Sequence, residues 1–176
     1  MSDLLARLLT LCLLRIGPQD LPCSRRILLQ LLGGLVTLQF VFALLLERTA
    51  RLPLDVLLML GLLLLPIQLL LALSGHRERF VQTAIGFAGA GLLFSLAMLP
   101  VVLVLSRVDP ERIQTEGASG PQALAVLAWL GLTTWKLAID THLWRHALQR
   151  PLPLAVAISL GLFLVELAVA RQLGNG

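Results

Sequence analysis

Five side chains within or beside the last two apolar runs of the sequence could take part in chemistry. Lys136 and Asp140 are four residues apart, so on a helix they share a face and can form an ion pair. His142 and His146 have the spacing that lets two imidazoles bind one metal ion. No glutamate stands between them and no third ligand is evident, so a metal site is the weaker interpretation. Glu166 is the one carboxylate in the final apolar run. A carboxylate inside a membrane span is costly, so it is by default a candidate functional residue.

The composition indicates the setting of these residues. The chain has 176 residues, of which 57% are hydrophobic and 14% are charged, and its mean hydropathy is +0.89. Soluble domains have about 45–50% apolar and roughly 25% charged residues. The basic residues stand at the ends of apolar runs and form no patch, so the pI near 10.4 does not indicate nucleic-acid binding. An integral membrane protein is expected.

Five apolar runs are near the length of about 20 residues that a membrane-spanning helix needs. Backbone polar groups cannot stay unbonded in lipid, so each run is predicted to be a helix. The expected fold is an all-α bundle with spans at about 27–46, 54–73, 80–105, 121–143 and 152–170. Residues 1–17 are too short to span and predict an amphipathic helix in the interface, followed by a linker at 18–26. Residues 171–176 are expected to form a short tail.

The arginines predict the orientation. Eight fall on the side of the N-terminus: Arg7, Arg15, Arg25, Arg26, Arg77, Arg79, Arg145 and Arg150. Five fall on the other: Arg48, Arg51, Arg107, Arg112 and Arg171. The excess predicts a cytoplasmic (inner) membrane protein with its N-terminus in the cytoplasm and its C-terminus outside. The basic cytoplasmic surface is expected to contact anionic lipid or an acidic partner.

The fourth span contains two polar stripes. Trp129, Thr133, Lys136, Asp140 and Trp144 share one stripe, and Trp135, His142 and His146 share a second. The first stripe should face other helices or a wet crevice. The cytoplasmic boundary is expected near Thr141 to Leu143, with Trp135 and Trp144 as interfacial indoles. Two interpretations stay open: a boundary anchor with a local ion pair, or a functional site.

Glu166 is expected at a different depth. If the fifth span enters from the cytoplasm at Leu152, Glu166 lies roughly 21 Å along it, in the outer part of the bilayer. Lys136 is then too near the inner side for a direct pair. Arg48, Arg51 or Arg171 are the expected partners, and hydration near the boundary is the structural alternative.

The third span is rich in small residues. Gly86, Gly89 and Gly91 let another helix backbone approach closely, which predicts packing within the bundle or, alternatively, a homo-oligomer contact. Gln39, near mid-membrane, is expected to form an interhelical hydrogen bond. Pro66 and Pro100 can interrupt helices, but no charged neighbour is expected beside them.

Two cysteines, Cys12 and Cys23, stand near the N-terminus on the side predicted to be cytoplasmic. The spacing is not that of a CxxC motif, and a disulfide is unexpected in a reducing compartment. Both are expected to be ordinary thiols.

The number of spans and their residue composition resemble those of one known family. The stretch "WLGLTTWKLAIDTHLWRHAL", followed by the small-residue run "AVAISLGLFLVE", resembles the Ypt-interacting-protein (YIP) family of five-span proteins. The resemblance covers the spans, about residues 27–170, and carries no diagnostic motif. It implies a membrane scaffold or trafficking adaptor without catalytic residues. The long hydrophilic N-terminal region of the eukaryotic members is absent, so a small-GTPase partnership is not implied.

The sequence contains no phosphate-binding glycine loop, serine triad, cysteine nucleophile or pair of catalytic carboxylates. The first hypothesis is therefore a non-enzymatic multi-pass scaffold or accessory subunit, without a cofactor and with a membrane-protein partner or a second copy. Two alternatives stay open. One is a small transporter or proton-coupled subunit that uses Lys136, Asp140 and Glu166. The other is a membrane enzyme or metal protein that uses Asp140, His142 and His146.

Overall fold

The computed structural model describes residues 2–46, 52–107 and 120–174. The predictions made for Arg48, Arg51 and Arg112 lie outside the described residues.

Every regular element within these ranges is helical, so the all-α prediction is confirmed. Five of the helices, α2 to α6, are long and apolar enough to cross a membrane. The α-helices are α1 (Ser2–Cys12), α2 (Arg25–Leu45), α3 (Leu52–Leu73), α4 (Phe80–Leu105), α5 (Gly120–Leu148) and α6 (Leu152–Gly174). Short 3₁₀ turns at Pro18–Asp20 and Arg77–Arg79 precede α2 and α4.

Helix α4 lies at the centre of the bundle, where it packs against α1, α2, α3 and α5, whereas α6 packs mainly on α5. Eight successive residues, Thr83 to Ala90, are buried. Eight residues exceed two helical turns, so every side of α4 is covered there. A Cβ atom on Gly86 would lie 2.8 Å from Leu143 Cδ2, and one on Gly89 would overlap the Leu8 side chain. These two glycines therefore serve packing within the chain.

Helix α1 has three faces. Leu4, Leu8, Leu11 and Cys12 pack into the core cluster of the bundle. Leu5 and Leu9, one position round the helix, are about half exposed and apolar. The third face is polar, with Asp3, Arg7 and Thr10. These three faces fit the predicted interface helix when it lies against the side of a bundle, and its position in a membrane stays a prediction.

Hydrogen bonds hold α1 and its linker on α4 and α5. Trp135 Nε1 donates to the Cys12 carbonyl at 3.1 Å, and His142 Nε2 lies 2.9 Å from the Ile16 carbonyl. From α4, Gln82 Nε2 donates to the Leu21 carbonyl at 3.1 Å. The second polar stripe of α5 therefore faces the N-terminal segment.

The expectation that Trp144 is an interfacial indole is wrong. Its side chain is 2% exposed and packs on Phe87, with ring centroids 4.8 Å apart. The physical reason is that α4 packs against this part of α5, so that this position is core.

Candidate functional site

A cavity of about 490 Å³ lies inside the bundle, and α2, α3, α4, α5 and α6 all contribute to its walls. On α5 its lining residues are Trp129, Thr133, Lys136, Leu137, Asp140 and Trp144. This set contains the whole of the first stripe. The prediction that this stripe faces a crevice is therefore confirmed.

Lys136 and Asp140 form the ion pair that their spacing predicts. Lys136 Nζ donates to Asp140 Oδ1 at 2.6 Å and to Oδ2 at 2.5 Å. The side chains are 23% and 21% exposed. Both oxygens of the carboxylate are thus engaged by one ammonium, and the formal charges cancel.

Glu166 lines the same cavity, and it interacts electrostatically with both Lys136 and Asp140. The expectation that Glu166 lies at a different depth from Lys136 is wrong, but the expectation that the two do not pair directly is confirmed. Helix α5 continues to Leu148, beyond the predicted boundary, and α6 starts at Leu152. Counted from the hairpin, Lys136 is roughly 18 Å and Glu166 roughly 21 Å along the helices, at 1.5 Å per residue. The two therefore lie at nearly the same level.

Glu166 has no cation within ion-pair distance among the described residues, where the salt bridges join Arg7 to Asp3, Arg79 to Glu78 and Lys136 to Asp140. Its side chain is exposed at the surface of the chain as well as lining the cavity. The expected partner Arg171 is not among the groups that interact with it, and Arg48 and Arg51 lie outside the described residues. The site thus contains one matched pair and one unmatched carboxylate.

Two further polar groups face the cavity. Ser159 is 3% exposed and lines it, and its Oγ has no hydrogen-bond partner. Pro66 lacks an N–H, so the carbonyl of Leu62, four residues earlier, loses its helical donor. Both residues line the cavity, together with Lys136 and Asp140. Pro66, beside which no charged neighbour is expected from the sequence, thus lines the same cavity as three charged residues of α5 and α6.

The rest of the wall is largely apolar and aromatic. Besides the two tryptophans of α5, Phe87 and Phe94 of α4 and Phe163 of α6 line the cavity. The Phe87 and Trp144 planes are tilted by 49°. Aromatic rings that line a cavity together with carboxylates favour a positively charged ligand, because their faces are electron-rich.

The remaining candidate residues differ in their position relative to the cavity. Gln39 is half-buried on α2 and does not line it. Gly91 does line it, and a Cβ there would meet Leu35 at 3.8 Å, an ordinary contact. His142 and His146 have ring centroids 4.4 Å apart. No group of three or more His, Cys, Asp or Glu side chains placed to hold a metal occurs in the part of the chain that the structure describes.

The predicted basic surface divides into two parts. Arg79, Arg145 and Arg150 line one crevice at the end of the bundle near α1. The other arginines of this end do not line it. Arg7 donates through Nε to Asp3 and through Nη1 to the Asp20 carbonyl, at 3.1 and 2.8 Å. The remaining four, Arg15, Arg25, Arg26 and Arg77, have exposed side chains outside this crevice.

Sequence reasoning missed Ser159 and Pro66 as cavity residues. Ser159 is seven residues before Glu166, which places the two on one face, and this spacing was a usable signal. For Pro66 no local signal existed, because the charged residues of the cavity come from other helices.

No family model, curated protein or solved structure matches this chain. The resemblance to the YIP family stays a prediction.

Proposed function

We propose that this non-enzymatic multi-pass protein binds a small amphipathic cation in the cavity between its five spans, as a small transporter or proton-coupled subunit. One observation carries the proposal: Glu166 shares the cavity with an ion pair that is already complete, and it has no cation partner within ion-pair distance in the described residues. The cavity therefore has a formal charge of −1.

The charge favours a cation. Lys136 occupies both oxygens of Asp140, so the remaining carboxylate is the natural counter-ion of a ligand. In a low-dielectric setting an unpaired charge costs several kcal/mol of free energy. A bound counter-ion can offset a cost of this size. A proton can serve the same end, and exchange of a proton for the cation at Glu166 is the basis of the transport hypothesis.

The walls favour an amphipathic ligand. The volume, about 490 Å³, lies within the roughly 300–1,000 Å³ of small-molecule sites. Aromatic rings near the carboxylates supply cation–π contacts, and the leucine and methionine walls accept an apolar body. The unpartnered hydroxyl of Ser159 offers a hydrogen bond to the ligand or to water.

The excess of arginines at the α1 end supports an inner-membrane location with the N-terminus in the cytoplasm.

A second candidate, a scaffold or accessory subunit, is favoured by the exposure of Glu166. A carboxylate that reaches the lipid-facing surface of a lone chain is costly. A partner protein, or a second copy, that covers the exposed side of Glu166 would remove this cost.

Equilibrium binding of tetraphenylphosphonium, an aromatic cation, tests the first candidate. The purified protein is titrated and the fluorescence of its tryptophans is followed, since Trp129 and Trp144 line the cavity. Glu166→Gln should weaken binding by about tenfold or more, the equivalent of about 1.4 kcal/mol. Glu78→Gln is the matched control, because Glu78 is exposed and lies outside the cavity.

Unchanged affinity in Glu166→Gln would reject the cation site. If instead the wild-type protein fails to bind the cation and purifies with a stoichiometric partner that Glu166→Gln releases, the accessory-subunit candidate takes its place.

A further inference from the structure

A second cavity, of about 370 Å³, lies at the α1 end of the bundle, apart from the first. We call it the arginine crevice; its lining residues are Gln19, Arg79, Arg145, His146, Gln149 and Arg150. The three arginines come from three elements: the turn before α4, the last turn of α5 and the α5–α6 connection. The tertiary fold thus gathers cations that are distant in sequence.

Carboxylates do not balance this charge. Glu78 approaches Arg79 at 3.9 Å from outside the crevice and is 68% exposed. Asp20 interacts electrostatically with His146, but its Oδ2 accepts a hydrogen bond from the Gly17 N–H at 2.9 Å. Among the described residues no carboxylate lies within 4 Å of Arg145 or Arg150. Two guanidinium groups are therefore left to bind an anion.

The C-terminal cap of α5 shapes one side of the crevice. Gln149 has a φ of +51°, in the left-handed region that favours glycine. With its amide oxygen turned towards Arg79, that oxygen accepts from Nη1 and Nη2 at 3.0 and 2.9 Å. The Arg150 N–H bonds the Arg145 carbonyl at 3.3 Å, which folds Arg150 back over the helix end. A left-handed residue with this hydrogen bond is a common C-terminal cap of a helix, and here the cap places Arg150 beside the crevice.

Helix electrostatics explain only part of the arrangement. Cations in the last turn of a helix stabilise its negative end, which accounts for Arg145 and His146. Arg79 and Arg150 lie outside that turn. They stand instead just before the N-termini of α4 and α6, the helix ends that attract anions.

We propose that the arginine crevice binds the phosphate group of an anionic phospholipid headgroup. Guanidinium groups recognise phosphate through paired N–H donors. Leu152 and Leu154, beside Arg150 at the start of α6, are exposed and apolar, so an acyl chain can follow α6 from a phosphate held at the crevice. The volume exceeds that of a bare phosphate and suits a headgroup. This proposal is independent of the cation cavity.

Binding of defined lipids to two matched double variants tests it. Arg145→Gln/Arg150→Gln removes two crevice charges. Arg25→Gln/Arg26→Gln removes two exposed charges that do not line the crevice. Native mass spectrometry and titration in mixed micelles measure binding of phosphatidylglycerol and phosphatidylcholine, and inorganic phosphate is titrated separately. Thermal unfolding verifies that each variant is folded.

The crevice variant should lose about tenfold or more in affinity for phosphatidylglycerol, and the control less than about threefold. Equal losses in the two variants would overturn the proposal in favour of diffuse electrostatic attraction. Absence of binding to the wild-type protein would also overturn it. Inorganic phosphate binding that only the crevice variant loses, without lipid binding, would keep the phosphate site and overturn its assignment to a lipid.

Discussion

Cys12 reports whether α1 is docked on the bundle. Its side chain is 1% exposed, and burial raises the pKa of the thiol to about 11 from its ordinary value of 9.0. At pH 8 a thiol with a pKa of 9.0 is roughly 10% thiolate and one with a pKa of 11 roughly 0.1%, and only the thiolate reacts. In a Cys23→Ser background, N-ethylmaleimide should therefore modify Cys12 about 100-fold more slowly than a free thiol from ionisation alone.

Gly89→Leu should abolish this protection. A Cβ at Gly89 already overlaps Leu8, so a leucine forces α1 off α4 and exposes Cys12. Gly161→Leu is the matched control, because nothing lies within 4 Å of the position that its Cβ would take. The rate of alkylation is measured by mass spectrometry. Wild-type Cys12 reacting as fast as a free thiol, or unchanged protection in Gly89→Leu, would refute the docked position of α1.

The same pKa fixes the pH dependence of docking. Because the docked thiol has the higher pKa, its contribution to docking is complete below pH 9.0 and is lost as the pH rises towards about 11. Three further predictions concern stability, measured by equilibrium unfolding in mixed micelles. Asp140→Asn should cost about 2–3 kcal/mol because it strands Lys136, a value reduced for the partial exposure of the pair. Lys136→Met/Asp140→Leu should recover most of that loss. If the losses of unfolding free energy caused by the two substitutions simply add in the double variant, the pairing is contradicted. Trp144→Ala should cost about 3–5 kcal/mol because it empties a core position, whereas Trp129→Ala, at an exposed site, should cost less than half as much; equal costs would contradict the buried position of Trp144.

Local geometry made part of the site predictable. The stripe on α5 follows from the helical repeat, so residues from Trp129 to Trp144 could be assigned to one face before any fold was known. The Lys136–Asp140 pair follows from the same repeat. The small-residue positions of α4 likewise indicated close packing, which Gly86 and Gly89 provide to α5 and α1.

Relations between helices were not predictable. The depth of Glu166 depends on where the α5–α6 hairpin turns relative to the bilayer. The sequence prediction placed the membrane boundary near Thr141 to Leu143 on α5 and at Leu152 on α6, and this assumption put Glu166 at the wrong depth. The burial of Trp144 and the position of Pro66 depend on which neighbours cover α5. For α1, amphipathicity predicted an interface helix, but three faces rather than two emerge only once the bundle surface is in place.

Charge-selective labelling inside the cavity tests the central claim most directly. Thr133 lines the cavity, whereas its neighbour Thr134 is exposed and does not. In a Cys23→Ser background, Thr133→Cys and Thr134→Cys are treated with cationic trimethylammonium-ethyl and anionic sulfonatoethyl methanethiosulfonate, and each rate is normalised to a free thiol. A wet cavity with a formal negative charge predicts that the cationic reagent modifies position 133 about tenfold faster than the anionic one, and faster than it modifies position 134. The account is contradicted if the two reagents modify both positions at the same normalised rate, or if the anionic reagent modifies position 133 faster than the cationic one.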